Sequence, residues 1–350
     1  MNKFVRYLNK TFIKCVRVML IAPKDQKKTC LLLVYAVMVV TLFATSIYLR
    51  YKYDSKDLSQ EILIMYGLYG IAELCGCLTV LIILYTYRKT HLWQRLYTNV
   101  NILDEQQCHT VIIVAFFVQV SVFFYVIMQW NVRLTNLPEI FFVILIDTPV
   151  FILFIYHLAV HTLYITIVLD IKQKLIIVKE QLNSDLITMD IATMYASICQ
   201  AIEGGKTFNC LFGYQLLIYY FQWFVFLVQV LINIVLMMNP KKYNYPTNIL
   251  ENISLFACEL GLITFGPCAV AFACDMVATE ADKLMAACYA AQEKFHYNSR
   301  EYQELQSLGS ILGSGVLQFT AAKFMEIKRS TLLSIMAAAT TYFIALVQFY

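Results

Sequence analysis

The sequence predicts an all-α membrane protein of seven transmembrane helices, with its N-terminus in the cytoplasm and its C-terminus outside the cell. Three observations predict it. Of 350 residues, 60% are apolar and only 14% are charged, too few to wet the surface of a soluble domain of this size. Seven apolar runs are each long enough to cross a hydrocarbon layer about 30 Å thick. Between those runs, 21 of the 27 Lys and Arg residues fall on one side. Cytoplasmic loops carry that excess, so the basic side is the inside.

The chain opens on a basic segment, 1–28, with no short apolar run and cleavage site of the signal-peptide kind. Phe4, Tyr7, Leu8 and Phe12 share a helical face ringed by Lys3, Arg6, Lys10 and Lys14. That pattern suits either a short helix lying on the inner leaflet or a solvated tail. The predicted spans are 29–49, 62–86, 110–130, 140–169, 213–238, 249–277 and 330–349. Backbone amides in hydrocarbon must be paired within their own segment, so each run is a helix.

The fourth and sixth runs exceed what a membrane needs and continue into polar sequence with helical spacing. Ile171, Leu175, Val178, Leu182 and Leu186 recur at three- and four-residue steps, an amphipathic helix. The inner connections are the long ones, so helices are expected to project below the membrane and pack there. The division that follows is 1–28 as inner segment, 29–277 as a six-helix bundle with extensions over 170–212, 278–329 as inner anchor helices, and 330–350 as the seventh helix. The outer loops are short, so an external ligand must bind among the outer halves of the helices.

Eleven cysteines lie in spans or inner segments, where reduced thiols are expected. Seven spans with the N-terminus inside are the reverse of a G-protein-coupled receptor, which excludes that class by topology. An embedded enzyme is set aside because no nucleophile elbow, His-rich cluster or paired-carboxylate motif is present. A transporter remains the alternative: Gly266-Pro267 could break the sixth span, as transporters break theirs, but no other span carries a matching break. No cofactor, metal or nucleic acid is called for.

Ionisable and amide side chains inside spans are costly and count as candidates. Glu73 lies mid-way along the second span and reads as structural. Asp147 and Glu259 lie in the outer halves of the fourth and sixth. Gln215, Gln222, Gln229 and Asn233 form a polar stripe on the fifth, either fixing the bundle or facing a ligand. Phe124, Tyr125 and Trp130 on the third span and Phe256 on the sixth are candidate pocket walls. The ligand set is therefore Phe124, Tyr125, Trp130, Asp147, Gln229, Asn233, Phe256 and Glu259. His157 and His161 stand four apart, a metal-ligand spacing, but are expected to be a buried or hydrogen-bonded pair. The sequons at Asn9 and Asn252 are expected to go unused.

The last span ends Thr341-Tyr342-Phe343-Ile344-Ala345-Leu346-Val347-Gln348-Phe349, followed by Tyr350. In this ending the chain resembles the insect gustatory receptor family, whose signature is Thr-Tyr, five hydrophobic residues and Gln-Phe at the C-terminus. The likeness extends back through Phe319–Ile327 and Ser330–Ile335. It departs at Lys328, where the family often has an acidic residue, and at Phe343, where the sugar-sensing branch tends to have one. The resemblance implies a ligand-gated non-selective cation channel in the plasma membrane of sensory neurons. It implies four subunits around a central pore, identical or mixed with other gustatory receptors. Its ligand would be a small tastant, a bitter plant compound or a fructose-like sugar.

Periodicity adds a pore stripe on the last helix: Ala337, Thr341, Ile344 or Ala345, and Gln348 fall on one face. Val347 or Phe349 would close such a pore by dewetting, and Gln348 would wet it. The small run from Ser334 to Thr341 lets helices approach closely in lipid.

Overall fold

A computed structural model describes residues 60–86, 88–100, 117–121, 137–183, 191–238, 249–297, 299–315 and 317–348, with helical positions scattered between 37 and 48. The described chain is helical apart from one short hairpin. Its elements are α1 (Gln60–Thr86), α2 (Thr90–Asn99), α3 (Leu137–Asn183), α4 (Ile191–Met238), α5 (Ile249–Gln292), α6 (Arg300–Gly313), β1 (Thr320–Ala321), β2 (Met325–Glu326) and α7 (Arg329–Gln348).

Five of these helices are long and apolar enough to cross a membrane. They are α1, α3, α4, α5 and α7, on the second, fourth, fifth, sixth and seventh predicted spans. The first and third predicted spans fall largely outside the described residues.

Helices α3, α4 and α5 run to 47, 48 and 44 residues. At 1.5 Å per residue each is about 70 Å long, roughly twice the hydrocarbon thickness. The lengths outside the apolar runs pack together with α6 as a layer. Ile171, Leu175 and Val178 of α3 are buried there with Met194, Ile198 and Ile202 of α4, Leu284 and Cys288 of α5, and Leu305, Leu308 and Leu312 of α6. Leu182 packs on the edge of this core; Leu186 lies outside the described residues. Helix α4 is the hub, touching α1, α2, α3, α5, α7 and β1. Helix α2, whose ten residues no apolar run announces, is fixed to α4 by Trp93. The indole is buried, donates to the Thr86 carbonyl at 3.2 Å and meets Phe212 edge-on at 5.4 Å.

Charge in this layer is paired. Glu280 accepts from Lys179 at 2.6 Å and from Lys283 at 2.7 Å. Arg95 meets Glu203 at 2.9 Å, and Arg329, at the start of α7, meets Asp275 of α5 at 2.8 Å. The Arg329 guanidinium also lies 4.8 Å from the Phe272 ring centroid, over its face. Lys328, one of the two departures noted above, pairs with Glu326 at 2.5 Å.

Between α6 and α7 the chain leaves the helix. Thr320 faces Glu326 and Ala321 faces Met325 in an antiparallel pair. A template from α4 holds it: Asn209 donates to the Gln318 carbonyl at 2.7 Å and accepts from the Thr320 amide at 3.0 Å. Gly213 permits the approach, since a Cβ there would lie 3.0 Å from the Ala322 backbone nitrogen. The turn places Ala322 and Lys323 at φ 52° and 61°, the left-handed region that favours glycine. Lys323→Gly is accordingly expected to stabilise the protein by about 1 kcal/mol, measured as a raised Tm in detergent; an unchanged or lowered Tm would contradict it.

Candidate ligand cavity and final helix

Where α3, α4 and α5 cross below their predicted outer ends, their facing residues do not fill the space between them. Phe154, His157, Leu158 and His161 of α3 recur at three- and four-residue steps, as do Tyr219, Gln222, Trp223 and Phe226 of α4. With Leu262, Ile263 and Gly266 of α5, and Gln119 of the short helical stretch at 117–121, they line a cavity of about 460 Å³ including its mouth. Among the described lining residues there is no Asp, Glu, Lys or Arg.

Gly266 determines how the cavity closes at α5. A Cβ at this position would lie 2.3 Å from the Tyr219 hydroxyl and 2.8 Å from His161 Nδ1. The two rings therefore rest on bare backbone, their centroids 3.8 Å apart and their planes 36° from parallel. The neighbouring Pro267 has no N–H to donate to the Ile263 carbonyl, yet α5 stays helical through it. The Tyr220 hydroxyl donates to the Pro267 carbonyl at 3.2 Å. His157 Nε2 approaches the Gly76 carbonyl of α1 at 3.4 Å, and the two histidine rings are 6.0 Å apart. One turn below, the Tyr164 hydroxyl donates to Gln215 Oε1. The histidines thus pack among aromatic rings. Among the described residues no group of His, Cys, Asp and Glu is arranged to hold a metal.

The polar stripe of α4 is buried along its length, with Gln215, Gln222, Gln229 and Asn233 all 5% exposed or less. Gln222 lines the cavity; Gln229 and Asn233 lie above it and do not. The side-chain oxygens of Gln222, Gln229 and Asn233 have no hydrogen-bond partner among the described residues. Of the other candidate ligand residues, Phe124, Tyr125 and Trp130 lie outside the described residues. So do the side chains of Asp147, Phe256 and Glu259. Glu73 is buried on α1.

The sequence pattern did not single out Tyr219, Trp223 or Phe226, and marked Gly266 only as a possible helix break. Aromatic residues are so abundant that none stands out, and the outer halves were favoured over mid-span. The Gly266-Pro267 pair, four residues after Leu262 and opposite two histidines, was the one available signal.

Among the described residues of α7, Leu332 and Ala339 are buried, and Ile335 and Leu346 pack half-buried against the same core. Ala337, Thr341, Ile344, Val347 and Gln348 are exposed and Ala345 is half-buried, whereas Phe349 lies outside the described residues. The Thr341 hydroxyl donates to the Ala337 carbonyl at 3.0 Å, so the exposed stripe hides its polarity along the helix. Tyr342, the second motif residue, meets Phe224 of α4 edge-on at 5.5 Å. Phe224 follows directly on Trp223 of the cavity wall, so one helix touches both features.

Residues 22–350 match the profile of the 7tm chemosensory receptor family. The chain belongs to that family. It is therefore a multi-pass membrane protein, and its helical fold is shared with solved insect olfactory receptor structures. The insect olfactory receptor OR5 from Machilis hrabei superposes with a TM-score of 0.65 at 15% identity, covering 97% of this receptor and 98% of OR5. The same olfactory receptor in complex with eugenol superposes with the same score and identity, covering 99% and 100%. No curated protein matches the sequence. At such identity the likeness establishes the fold, and the residues of the cavity must be argued on their own chemistry.

Proposed function

We propose that this receptor is a gustatory receptor acting as a ligand-gated, non-selective cation channel. Four subunits surround a pore lined by α7, and a tastant, bitter or fructose-like, opens it from within the helix bundle. The observation that carries the reading is α7 itself. A membrane helix with two buried residues and a stripe of Ala337, Thr341, Ile344 and Gln348 left open has most of its packing still to make. Further copies of the chain supply that packing if the helices meet around an axis. The motif from Thr341 to Phe349 gives the family reading its gustatory side. The uncharged cavity supports a small organic ligand, and the related olfactory receptor is known with one bound. Sensory-neuron plasma membrane is the corresponding location.

A transporter draws less support, because α5 runs unbroken from Ile249 to Gln292 across Pro267. Broken helices at mid-membrane are what a transporter site uses.

Expression alone in a heterologous cell, with currents recorded against sugars and plant alkaloids or glycosides, tests the channel. Ligand-evoked cation currents are expected; subunits that stay monomeric and electrically silent in bilayers would sink the proposal. In the same assay Gln348→Leu is expected to cut open-channel current several-fold, because an apolar ring at the constriction favours dewetting. Wild-type permeation in that variant would remove Gln348 from the gate.

A further inference from the structure

The cavity's chemistry is narrower than the choice between bitter compound and sugar. Of its polar groups, Gln222 Oε1 and Trp223 Nε1 are wholly shielded, His157 Nε2 is directed at the Gly76 carbonyl, and Gln119 enters from the short helical stretch at 117–121. The Tyr219 hydroxyl and the His161 ring nitrogens are hydrogen-bonded to no described residue, although His161 is only 7% exposed. Both meet at one spot, over the bare Cα of Gly266. A neutral imidazole offers one donor and one acceptor, and a phenol offers both. The apolar part of the wall is Phe154, Leu158, Trp223, Phe226, Leu262 and Ile263.

We propose that Tyr219 and His161, seated on Gly266, form the polar anchor for an uncharged ligand with a single hydroxyl or carbonyl head and an aromatic or aliphatic body. This rests on the cavity being the ligand site. A ligand of this class pairs its one polar group at the anchor and buries the rest against rings. A sugar would bring more hydroxyls than Tyr219, His161 and Gln119 can pair among the described lining residues. Each hydroxyl left unpaired would cost roughly five- to a hundred-fold in affinity. A cationic ligand would find no carboxylate among the lining residues to offset its desolvation. Gly266 sets the depth of the site, since any side chain there drives the Tyr219 ring into the space the ligand needs.

The test uses purified full-length receptor in nanodiscs, with binding read from Trp223 emission. Four probes are compared: 4-ethylphenol, ethylbenzene (the same body without the head), D-fructose and trimethylphenylammonium. The phenol is expected to bind at least ten-fold more tightly than the other three. Tyr219→Phe combined with His161→Phe is expected to weaken the phenol about ten-fold, two hydrogen bonds' worth, and to move ethylbenzene no more than about two-fold. A merely structural role would weaken both probes alike. Gly266→Ala is expected to weaken ethylbenzene several-fold, and adding Tyr219→Phe, which removes the closer of the two clashes, is expected to restore it in part, the contact with His161 Nδ1 remaining.

Tightest binding by fructose or the ammonium probe, or unchanged phenol binding in the double variant, would overturn the assignment. The same panel recorded as currents separates this inference from the channel reading. Anchor-dependent binding without current leaves the anchor standing and removes the channel, whereas phenol-evoked current indifferent to Tyr219 and His161 does the reverse.

Discussion

Truncating Phe224 to alanine is expected to raise the ligand concentration for half-maximal current about ten-fold or more while the receptor still reaches the surface. Trp223 stands in the cavity wall, and Phe224, about 100° further round α4, meets Tyr342 of α7 at 5.5 Å. A ligand that shifts Trp223 therefore shifts a ring pressed against the final helix. Coupling between two sites on one receptor is typically worth about 1–3 kcal/mol, or roughly 5- to 150-fold in effective concentration. The aromatic contact is the only ring pair among the described residues that joins α4 to α7. Tyr342→Ala should reproduce the shift, Tyr342→Phe should not, and the two alanine variants combined should do little more than either alone. Additive effects, or wild-type responses in both, would mean the signal reaches α7 elsewhere, for instance through the Arg329–Asp275 pair at its base.

The second large effect concerns the layer below the bundle. Glu280→Gln is expected to destabilise the receptor by about 2 kcal/mol and to lower its Tm by roughly 5 °C. The Glu280 side chain is 11% exposed and accepts from two lysines, so neutralising it leaves Lys179, itself 23% exposed, facing an amide in a partly buried site. Fully buried pairs lose more when broken; water at Lys179 and Lys283 reduces the loss here. Lys283, 55% exposed, supplies the contrast. Removing it as Lys283→Met should cost about 0.5 kcal/mol or less. Equal losses in the two variants, followed by intrinsic fluorescence on heating, would show that burial at Glu280 is not what matters.

Apolar run length and helical periodicity were enough to locate α1, α3, α4, α5 and α7, because a spanning helix is specified by its own residues and by the lipid. The same periodicity carried α3 past the membrane: Ile171, Leu175 and Val178 form a stripe in sequence and a buried face in space. The final motif likewise needs no tertiary information to be read. Local sequence also made the α4 amides conspicuous, since four of them on one face of an apolar helix are costly wherever they point.

The cavity was not legible in this way. Whether His157 and His161 are buried structural residues or walls of a site depends on which face of α4 meets α3, and their neighbours Leu158, Ala159 and Val160 are the same in either case. Tyr219 belongs to the site because residue 266 lacks a side chain, a relation between positions 47 apart that no periodicity encodes. The hairpin at Thr320–Glu326 depends in the same way on Asn209 and Gly213, more than a hundred residues earlier, and its own residues do not demand a strand. In each helix, burial in lipid and burial in protein select the same apolar residues. The sequence therefore determined where the described spanning helices lie, and tertiary packing alone decided which faces left room for a ligand.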